Sequence, residues 1–429
     1  MNVEDRSRLE AFRQLKKGIR RSETHLIVGI DIAKIKHHAF FGTATGKTLL
    51  RRLIFTNDAD GFNKLLTYVD AVKTKHMLEK VVFGLEPTAN YYKPLGEYLI
   101  NCGFDVVLVS GKAVTNNREM MDNRWDKNDT KDSANIADLV SQGKFMYYDY
   151  PVLPLRDLRN LLSLKRRLKK QEHGLKVRIR NNLLAQYFPE LDGHYGQSES
   201  VGLPVVRWCL SPTAIAGMRY EQFEDMLFPG GRIKMTQQER LKRIWKTAGH
   251  SIGCQVGEAL GFEAHMMVDW LKRMRDAIRV TDEKIKEVCL YFPEYNYLLT
   301  IPGFGPDVAS RVLAAIGNPY RFENHRQVLK MAGWDLSASR SGKNSNAITP
   351  VISKKGKAEL RYALYQAALI ASTRNQVFVM YYTNKLRGRE RERGIKTKMR
   401  VKLAAKLLVI AWTLMKKKEP FNPDFLNMD

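Results

Sequence analysis

The sequence predicts an α/β domain followed by a mostly helical region, a fold class of α/β plus α. Short apolar segments alternate with helical patterns over residues 1–150. Long amphipathic patterns then dominate residues 151–295, and a Gly-rich corner followed by further helices fills residues 296–429. A chain of 429 residues is too long for one ordinary core, and its 44% hydrophobic content can fill several. We therefore expect three segments with these bounds.

Three predicted strands open the first segment. The apolar run LIVGIDIAK covers residues 26–34, and two short strands flank the turn residues 43–46. A helix, the strand VVFGLE, a second helix, the strand DVVLVS and a helix that begins at Asp129 follow. The order βββαβαβα is that of a ribonuclease-H-like domain, which has a mixed sheet with helices on both faces.

Four carboxylates occupy suggestive positions in this order. Asp31 lies in the middle or at the end of the first strand, Glu86 ends the fourth, and Asp129 and Asp132 share one face at the start of a helix. Carboxylates prefer hard cations, so we expect these four to meet around a divalent metal ion and to act on nucleic acid. The alternative is structural: Asp31 caps a turn, and acids at a helix N-terminus are favoured by the helix dipole.

The charge balance indicates a polyanionic partner. Lys and Arg number 71 against 45 Asp and Glu, a net charge of +26, which suits nucleic acid. No apolar run approaches the roughly 20 residues of a membrane span, and the charged first 21 residues lack a secretory signal pattern. Four widely separated cysteines form neither a zinc nor a disulfide framework. We expect a cytoplasmic protein with no membrane partner.

Two long helices are predicted in the second segment. The first follows a linker at residues 151–154 and carries ten Lys or Arg and two acids between Arg156 and Arg180. The second covers about residues 263–290. They can pair as an antiparallel coiled coil or join subunits, or they can belong to a bundle with a solvated basic face. Residues 187–262 between them are predicted to be a helical insertion.

The third segment contains a Gly-rich corner and a serine-rich loop. The pattern IPGFGP precedes a helix, as in a helix-hairpin-helix contact to a DNA phosphate; a plain helical corner is equally compatible. The loop after Gly333 holds Ser337, Ser339 and Ser341 among basic residues. Such serines are usually loop residues, although one beside Gly can also be a phosphoryl-transfer nucleophile.

Six short motifs together resemble a family of insertion-sequence transposases with a DEDD motif. GIDIAK, GLEPTANY and KNDTKDSANIADL are similar to its RuvC-like domain. IPGFGP, MAGWDLSASRSG and ISKKGKAELR are similar to its C-terminal transposase domain. The resemblance covers residues 26 to about 145 and 296 to about 415.

The resemblance implies a specific chemistry. Asp31, Glu86, Asp129 and Asp132 would bind Mg²⁺ in the RuvC-like domain, and Ser341 would form a covalent link to DNA. Relatives typically have a proline near position 336, where this chain has Leu336, and this departure leaves Ser339 as an alternative nucleophile. The family implies a homo-oligomer, dimer or tetramer, that recombines double-stranded element ends and target DNA. It also implies guidance by a bridge RNA and a nucleoid-associated location in the bacterial cytoplasm.

Three functions are compatible with these residues. The first is a recombinase with a joint serine and metal site. The second is a metal-dependent RuvC-like junction-resolving nuclease that forms no covalent intermediate. The third is a non-enzymatic nucleic-acid-binding protein whose acids are structural. We favour them in that order, because a carboxylate-bearing half and a separate serine-bearing half suit the first function best.

Overall fold

A computed structural model describes residues 3–122, 129–195, 199–231, 233–337 and 351–425. The chain divides into two compact units, Met1–Val152 and Leu153–Asp429, here called unit 1 and unit 2. Each unit is described by itself. Among the described residues, no helix combines the length and the apolar character needed to cross a bilayer.

Unit 1 is a mixed sheet with helices on both faces. Its elements are α1 (Val3–Gly18), β1 (His25–Asp31), β2 (Lys36–Thr43), β3 (Thr48–Thr56), α2 (Ala59–Lys75), β4 (Lys80–Leu85), α3 (Tyr92–Asn101), β5 (Asp105–Leu108), α4 (Gly111–Asp122), α5 (Asp129–Ser141) and β6 (Met146–Tyr147). The predicted α/β class and the predicted strands are confirmed. Helix α4 and the short strand β6 were not predicted.

The six strands lie in the order β3-β2-β1-β4-β5-β6. β1 pairs in parallel with β4, and β4 in parallel with β5, whereas the other neighbouring pairs are antiparallel. Central β1 is apolar because it is covered on both faces, as its buried residues show. The beginning of antiparallel β2 and the end of parallel β4 therefore lie beside the end of β1.

The side chains of β1 alternate between two cores. Leu26, Val28 and Ile30 face the core that contains α2 and α3. Ile27 faces the opposite core, in which residues of α5 such as Ile136 are buried. The odd-numbered positions of β1 and the even-numbered positions of β4 therefore lie on the face that α5 covers.

Glycine allows α5 to pack directly on this face of the sheet. A Cβ atom at Gly29 would overlap the backbone oxygen of Ser133 and lie 2.5 Å from the backbone nitrogen of Ala137. A Cβ atom at Gly84 would lie 2.6 Å from a methyl group of Val140. Helix α5 therefore lies so close to β1 and β4 that any residue other than glycine at these two positions would clash with it.

Unit 2 is mostly helical, as predicted. Its elements are α6 (Leu153–Arg178), a π-helical turn (Ile179–Leu184), α7 (Ala185–Tyr187), α8 (Leu191–Tyr195), α9 (Glu199–Trp208), α10 (Pro212–Ala216), α11 (Tyr220–Leu227), α12 (Met235–Ala248), α13 (Glu258–Cys289), α14 (Pro293–Leu299), α15 (Pro306–Ile316), a 3₁₀ turn (Pro319–Arg321), α16 (His325–Ala332), β7 (Leu336–Ser337), β8 (Val351–Ile352), α17 (Ala358–Arg374), α18 (Gln376–Leu386), α19 (Ile395–Lys417) and a 3₁₀ turn (Pro423–Phe425).

The two long predicted helices, α6 and α13, pack against each other in opposite directions. Leu158 near the start of α6 shares a core with Ile285 near the end of α13, and Leu175 near the end of α6 shares another with Leu271. The first helix begins at Leu153, inside the predicted linker. Whether the pair has coiled-coil geometry stays a prediction.

Buried Lys165 of α6 connects three helices of unit 2. Its Nζ donates to Asp307 of α15 at 2.5 Å and lies 2.6 Å from a carboxylate oxygen of Asp282 in α13. Two carboxylates compensate one buried ammonium, so this charge is paired. The network fixes the start of α15 against the long helices.

The predicted Gly-rich corner is the connection between α14 and α15. Gly303 has φ +89°, a conformation that side chains disfavour, and a Cβ there would lie 2.5 Å from the backbone oxygen of Ala367 in α17. This glycine is therefore required by packing inside unit 2. The helical corner is present, and its contact with DNA stays a prediction.

Candidate functional site

Asp31 and Glu86 lie at the ends of neighbouring strands on one face of the sheet. Asp31 is the last residue of β1, and Glu86 follows the last residue of β4. The parallel register pairs Ile30 with Leu85, so the next positions are neighbours. Both acids are two residues beyond the glycines on which α5 packs, and they therefore share the face that α5 covers. Both are partly buried.

The beginning of α5 brings Asp132 to this face. Ser133 lies over Gly29, and Asp132 is 1% exposed. Asp129 begins the same helix, but its side chain lies outside the described residues. Asp31, Glu86 and the start of α5 thus belong to one end of the sheet, as the sequence predicted from strand order.

Helix α4 holds α5 in place through buried polar contacts. The Asn117 amide donates to Asn135 at 2.6 Å and to Asp138 at 2.8 Å. Asn135 donates in turn to the backbone oxygen of Val114 at 2.6 Å. These bonds satisfy side chains that would be costly to bury unpaired, and they fix the helix that carries Asp132.

Arg118 of α4 forms a salt bridge with the carboxylate of Asp132. Its Nε donates to Asp132 Oδ1 at 2.7 Å, and its Nη2 lies 2.6 Å from the same oxygen. The Arg118 side chain is 13% exposed, so the pair is largely desolvated. A charge-assisted contact of this kind is strong, and the sequence analysis did not anticipate it because α4 itself was not predicted.

Two histidines of β2 also belong to the surroundings of Asp31. The register pairs His38 with Asp31, which places His38 on the same face. His37 is fully buried on the other face, and its Nδ1 accepts the backbone N–H of Ala33 at 3.2 Å. Burial lowers the pKa of His37, so its neutral ring can accept this bond and order the turn after Asp31. The adjacent pair HH at residues 37–38 is the feature of the sequence that could have pointed to both histidines.

The described carboxylates do not by themselves form a metal-binding cluster. Asp31 and Glu86 offer oxygen ligands side by side, and a Cβ at Gly111, the first residue of α4, would lie 2.6 Å from Glu86 Oε1. The absence of a side chain there leaves room for the Glu86 carboxylate. Asp132 is paired with Arg118, and no group of three His, Cys, Asp or Glu side chains in the described part of the chain is arranged to hold a metal ion. The chemistry of Asp31 and Glu86 fits Mg²⁺.

Ser339 and Ser341 lie outside the described residues, and the strands β7 and β8 flank their segment. β7 and β8 pair Ser337 with Val351 on either side of it. Below this pair, Ser353 Oγ donates to Asp335 at 2.5 Å, and the backbone N–H of Lys354 donates to Gly333 at 3.0 Å. The segment with the candidate nucleophiles therefore begins and ends at a fixed two-stranded base in unit 2.

Two family models match the chain at these two places. The DEDD transposase model of the IS110 type matches residues 28–189, and the model of the transposase IS116/IS110/IS902 family matches residues 295–383. The chain is therefore similar to both domains of these IS110/IS116 transposases. The first matched range includes Asp31, Glu86, Asp129 and Asp132, and the second includes the segment with Ser339 and Ser341.

Individual relatives agree with the family models. The chain is 24% identical over 406 residues to the insertion element IS116 uncharacterized 44.8 kDa protein of Streptomyces clavuligerus, covering 92% of this chain and 96% of that protein. It is 26% identical over 340 residues to the mini-circle putative transposase for IS117 of Streptomyces coelicolor, covering 71% and 75%. It is 29% identical over 158 residues to the pilin gene-inverting protein of Moraxella lacunata, covering 36% and 48%.

Removing the Arg118 guanidinium is expected to destabilise the folded protein. The Arg118→Met variant leaves the carboxylate of Asp132 buried without its cation, which typically costs about 3 kcal/mol. The double variant Arg118→Met, Asp132→Asn should recover at least about 1 kcal/mol of this loss, because the neutral amide is cheaper to bury. Urea unfolding of the four proteins of the cycle measures the coupling.

A control at an exposed ion pair separates the effect of burial on stability from the effect of losing one charge. Lys284 lies 2.6 Å from Glu287, and both side chains are 61% exposed. Lys284→Met should not measurably change the unfolding midpoint, because solvent screens such pairs. Purely additive effects of the Arg118 and Asp132 substitutions would contradict the importance of their contact.

Proposed function

We propose that this protein is an insertion-sequence transposase that exchanges strands between element DNA and target DNA through a covalent serine–DNA intermediate. The observation that carries the proposal is the placement of Asp31 and Glu86 side by side at the ends of two central strands, on the face covered by the start of α5. The match of both halves of the chain to transposase domains supports it. Two of the relatives are named as a putative transposase and as a pilin gene-inverting protein.

In this proposal the carboxylates of unit 1 hold Mg²⁺. Asp31 and Glu86 would be ligands. Asp129 would join them, and so would Asp132 after its salt bridge with Arg118 breaks. The ion would supply positive charge at the phosphate that reacts. Phosphoryl transfer depends mainly on positioning and on such charge neutralisation, for which carboxylates fixed on strand ends are suited.

The nucleophile in this proposal is Ser341, with Ser339 as the alternative. The serine oxygen forms a bond to phosphorus, the bond from phosphorus to a deoxyribose oxygen breaks, and the serine proton ends on the released hydroxyl. The phosphoester bond is conserved in the adduct, so a second DNA hydroxyl can reverse the step on another strand without a high-energy cofactor. The ordered base at β7 and β8 would present the serine segment at a defined place.

The proposal includes two partners besides DNA. A homo-oligomer, dimer or tetramer, would bring the carboxylates of one subunit to the serine of another. A bridge RNA encoded by the element would guide target choice, and the net charge of +26 favours the binding of both nucleic acids.

Covalent trapping tests this function. The protein is incubated with Mg²⁺, element-end DNA and RNA transcribed from the element flank, then denatured, and DNA attached to protein is detected. We expect an adduct in the wild-type protein and in Ser339→Ala, and none in Ser341→Ala. An adduct that survives Ser341→Ala but not Ser339→Ala would move the nucleophile to Ser339.

Two further outcomes bear on the reaction class. Cleaved DNA without any adduct would contradict serine catalysis and favour the junction-resolving nuclease. Omitting the RNA from an otherwise complete reaction tests guidance, because a guided enzyme should lose exchange at its target site.

A further inference from the structure

A strongly basic hairpin lies near the C-terminal end of unit 2. We define the basic hairpin as residues 385–402, which include the end of α18, the connection, and the first two turns of α19. It holds nine basic residues against two acidic ones, a net charge of +7. The basic residues are Lys385, Arg387, Arg389, Arg391, Arg393, Lys396, Lys398, Arg400 and Lys402.

The two acids of the hairpin are already engaged within it. Glu392 accepts two hydrogen bonds from Arg389, each at 2.8 Å. Glu390 accepts the backbone N–H of Gly388 at 3.2 Å. Burial lowers the pKa of Lys406, which packs beside the hairpin, and the positive charge of Lys385 lowers it further. Like charges therefore crowd this surface, which favours the binding of an anion.

The polarity of α19 makes this charge distribution unfavourable in the free protein. The first turn of α19 contains Lys396 and Lys398 and no acidic residue. Cations destabilise a helix N-terminus, where the backbone dipole is itself positive. A polyanion on this surface would remove that repulsion, which we take as a reason for basic residues to occur here.

The hairpin is held rigid by a small core of its own. Leu386, Ile395 and Met399 are buried together, with Tyr382 packed against them. Arg400 lies over the Tyr382 ring at 5.6 Å from its centroid. The exposed ends of the basic side chains therefore project from an ordered backbone, which reduces the entropy lost when they bind a ligand.

The composition of the hairpin favours duplex backbone over bases. Between residues 387 and 402 there is no Asn, Gln or aromatic residue, the types that commonly read adenine edges or stack on single-stranded bases. Lys and Arg can contact guanine as well as phosphate, but most protein–DNA hydrogen bonds go to the phosphate and sugar, and these carry no sequence information. The second family match ends at residue 383, so the hairpin lies beyond it.

We propose that the basic hairpin binds the phosphate backbone of duplex DNA without reading its sequence. This inference rests on the proposed function, which makes DNA the polyanion. The hairpin would add affinity and leave target choice to other parts of the assembly.

The test compares two triple variants of the full-length chain that remove equal charge. One is Arg391→Gln, Lys396→Gln, Lys398→Gln in the hairpin. The control is Arg240→Gln, Arg243→Gln, Lys246→Gln on α12, where these three side chains are also exposed. Binding to a labelled duplex of arbitrary sequence, about 30 bp long, is measured by anisotropy over a range of salt concentrations.

The hairpin variant should bind at least about tenfold more weakly near 0.1 M salt, and the slope of log affinity against log salt should fall by about 2 to 3. The α12 variant should bind as the wild type does. Equal losses in both variants would overturn the proposal, because bulk charge would then explain binding. Unchanged affinity in the hairpin variant, or a loss seen with an RNA hairpin but not with the DNA duplex, would also overturn it.

The same assay separates this inference from the proposed function. Asp31→Asn should keep duplex binding and lose strand exchange. Wild-type protein that binds through the hairpin yet performs no exchange under any RNA or Mg²⁺ condition would contradict the proposed function alone. Normal exchange with hairpin-independent binding would contradict the hairpin alone.

Discussion

Asp31→Asn is expected to reduce strand exchange at least about a thousandfold while leaving unit 1 folded. The amide has the shape of the carboxylate but not its charge, and Asp31 lies beside Glu86 at the end of the two central strands. Calorimetric titration of the wild type with Mg²⁺ should show binding that the variant lacks. This second measurement does not depend on DNA, RNA or the serine segment.

Asp105→Asn is the matched control for this substitution. Asp105 begins β5 and pairs with Val82, so it lies on the same face as Asp31 but at the opposite end of the sheet. Burial raises the pKa of Asp105, although His25, Lys80 and Arg8 counteract this in part, so a neutral side chain is tolerated there. Exchange should be unchanged in Asp105→Asn. Full exchange activity in Asp31→Asn would make the carboxylates structural and refute the metal site.

Gly29→Ala is expected to destabilise unit 1 by about 3 kcal/mol, the upper part of the range for overpacked cores. The new methyl group would overlap the backbone oxygen of Ser133, and backbone atoms cannot rotate away. The thermal transition of unit 1 should fall by roughly 10 °C. Scanning calorimetry of the full chain measures it.

Gly84→Ala should be milder, at about 1 kcal/mol, because its methyl group would meet side-chain methyls of Val140 and Ile136 that can shift. Gly174→Ala is the second comparison. Gly174 lies within α6, and a Cβ there would meet no atom of another part of the chain within 4 Å. The substitution should therefore stabilise unit 2 by about 1 kcal/mol and identify its transition. Equal effects of Gly29→Ala and Gly84→Ala would contradict a backbone contact between α5 and β1.

The neighbouring positions of Asp31 and Glu86 could be predicted from the sequence. Both acids end apolar strands, and in a ribonuclease-H-like order the first and fourth strands are neighbours, which the observed β1–β4 register confirms. Strand order is set by local patterns and a small set of allowed connections, so it can be deduced from sequence.

The partner of Asp132 could not be predicted in the same way. Its contact with Arg118 depends on α4, whose sequence GKAVTNNREMMD has polar residues at most positions and little apolar periodicity. The polar residues Asn117 and Arg118 are buried because they bind α5, a tertiary effect that no local pattern expresses. The assignment of Asp31, Glu86, Asp129 and Asp132 as magnesium ligands and of Ser341 as the nucleophile stays a prediction.

The N-terminal helix α1 is bonded to the backbone near the other end of unit 1. Arg8 in α1 donates to the backbone oxygen of Tyr148 at 3.0 Å, and Lys16 donates to that of Phe145 at 3.0 Å. Helix α1 therefore lies beside the last residues of unit 1. Domains with adjacent ends tolerate circular permutation. We accordingly expect unit 1 to keep its sheet when a short linker joins α1 to its last residues and new ends are opened in an exposed turn.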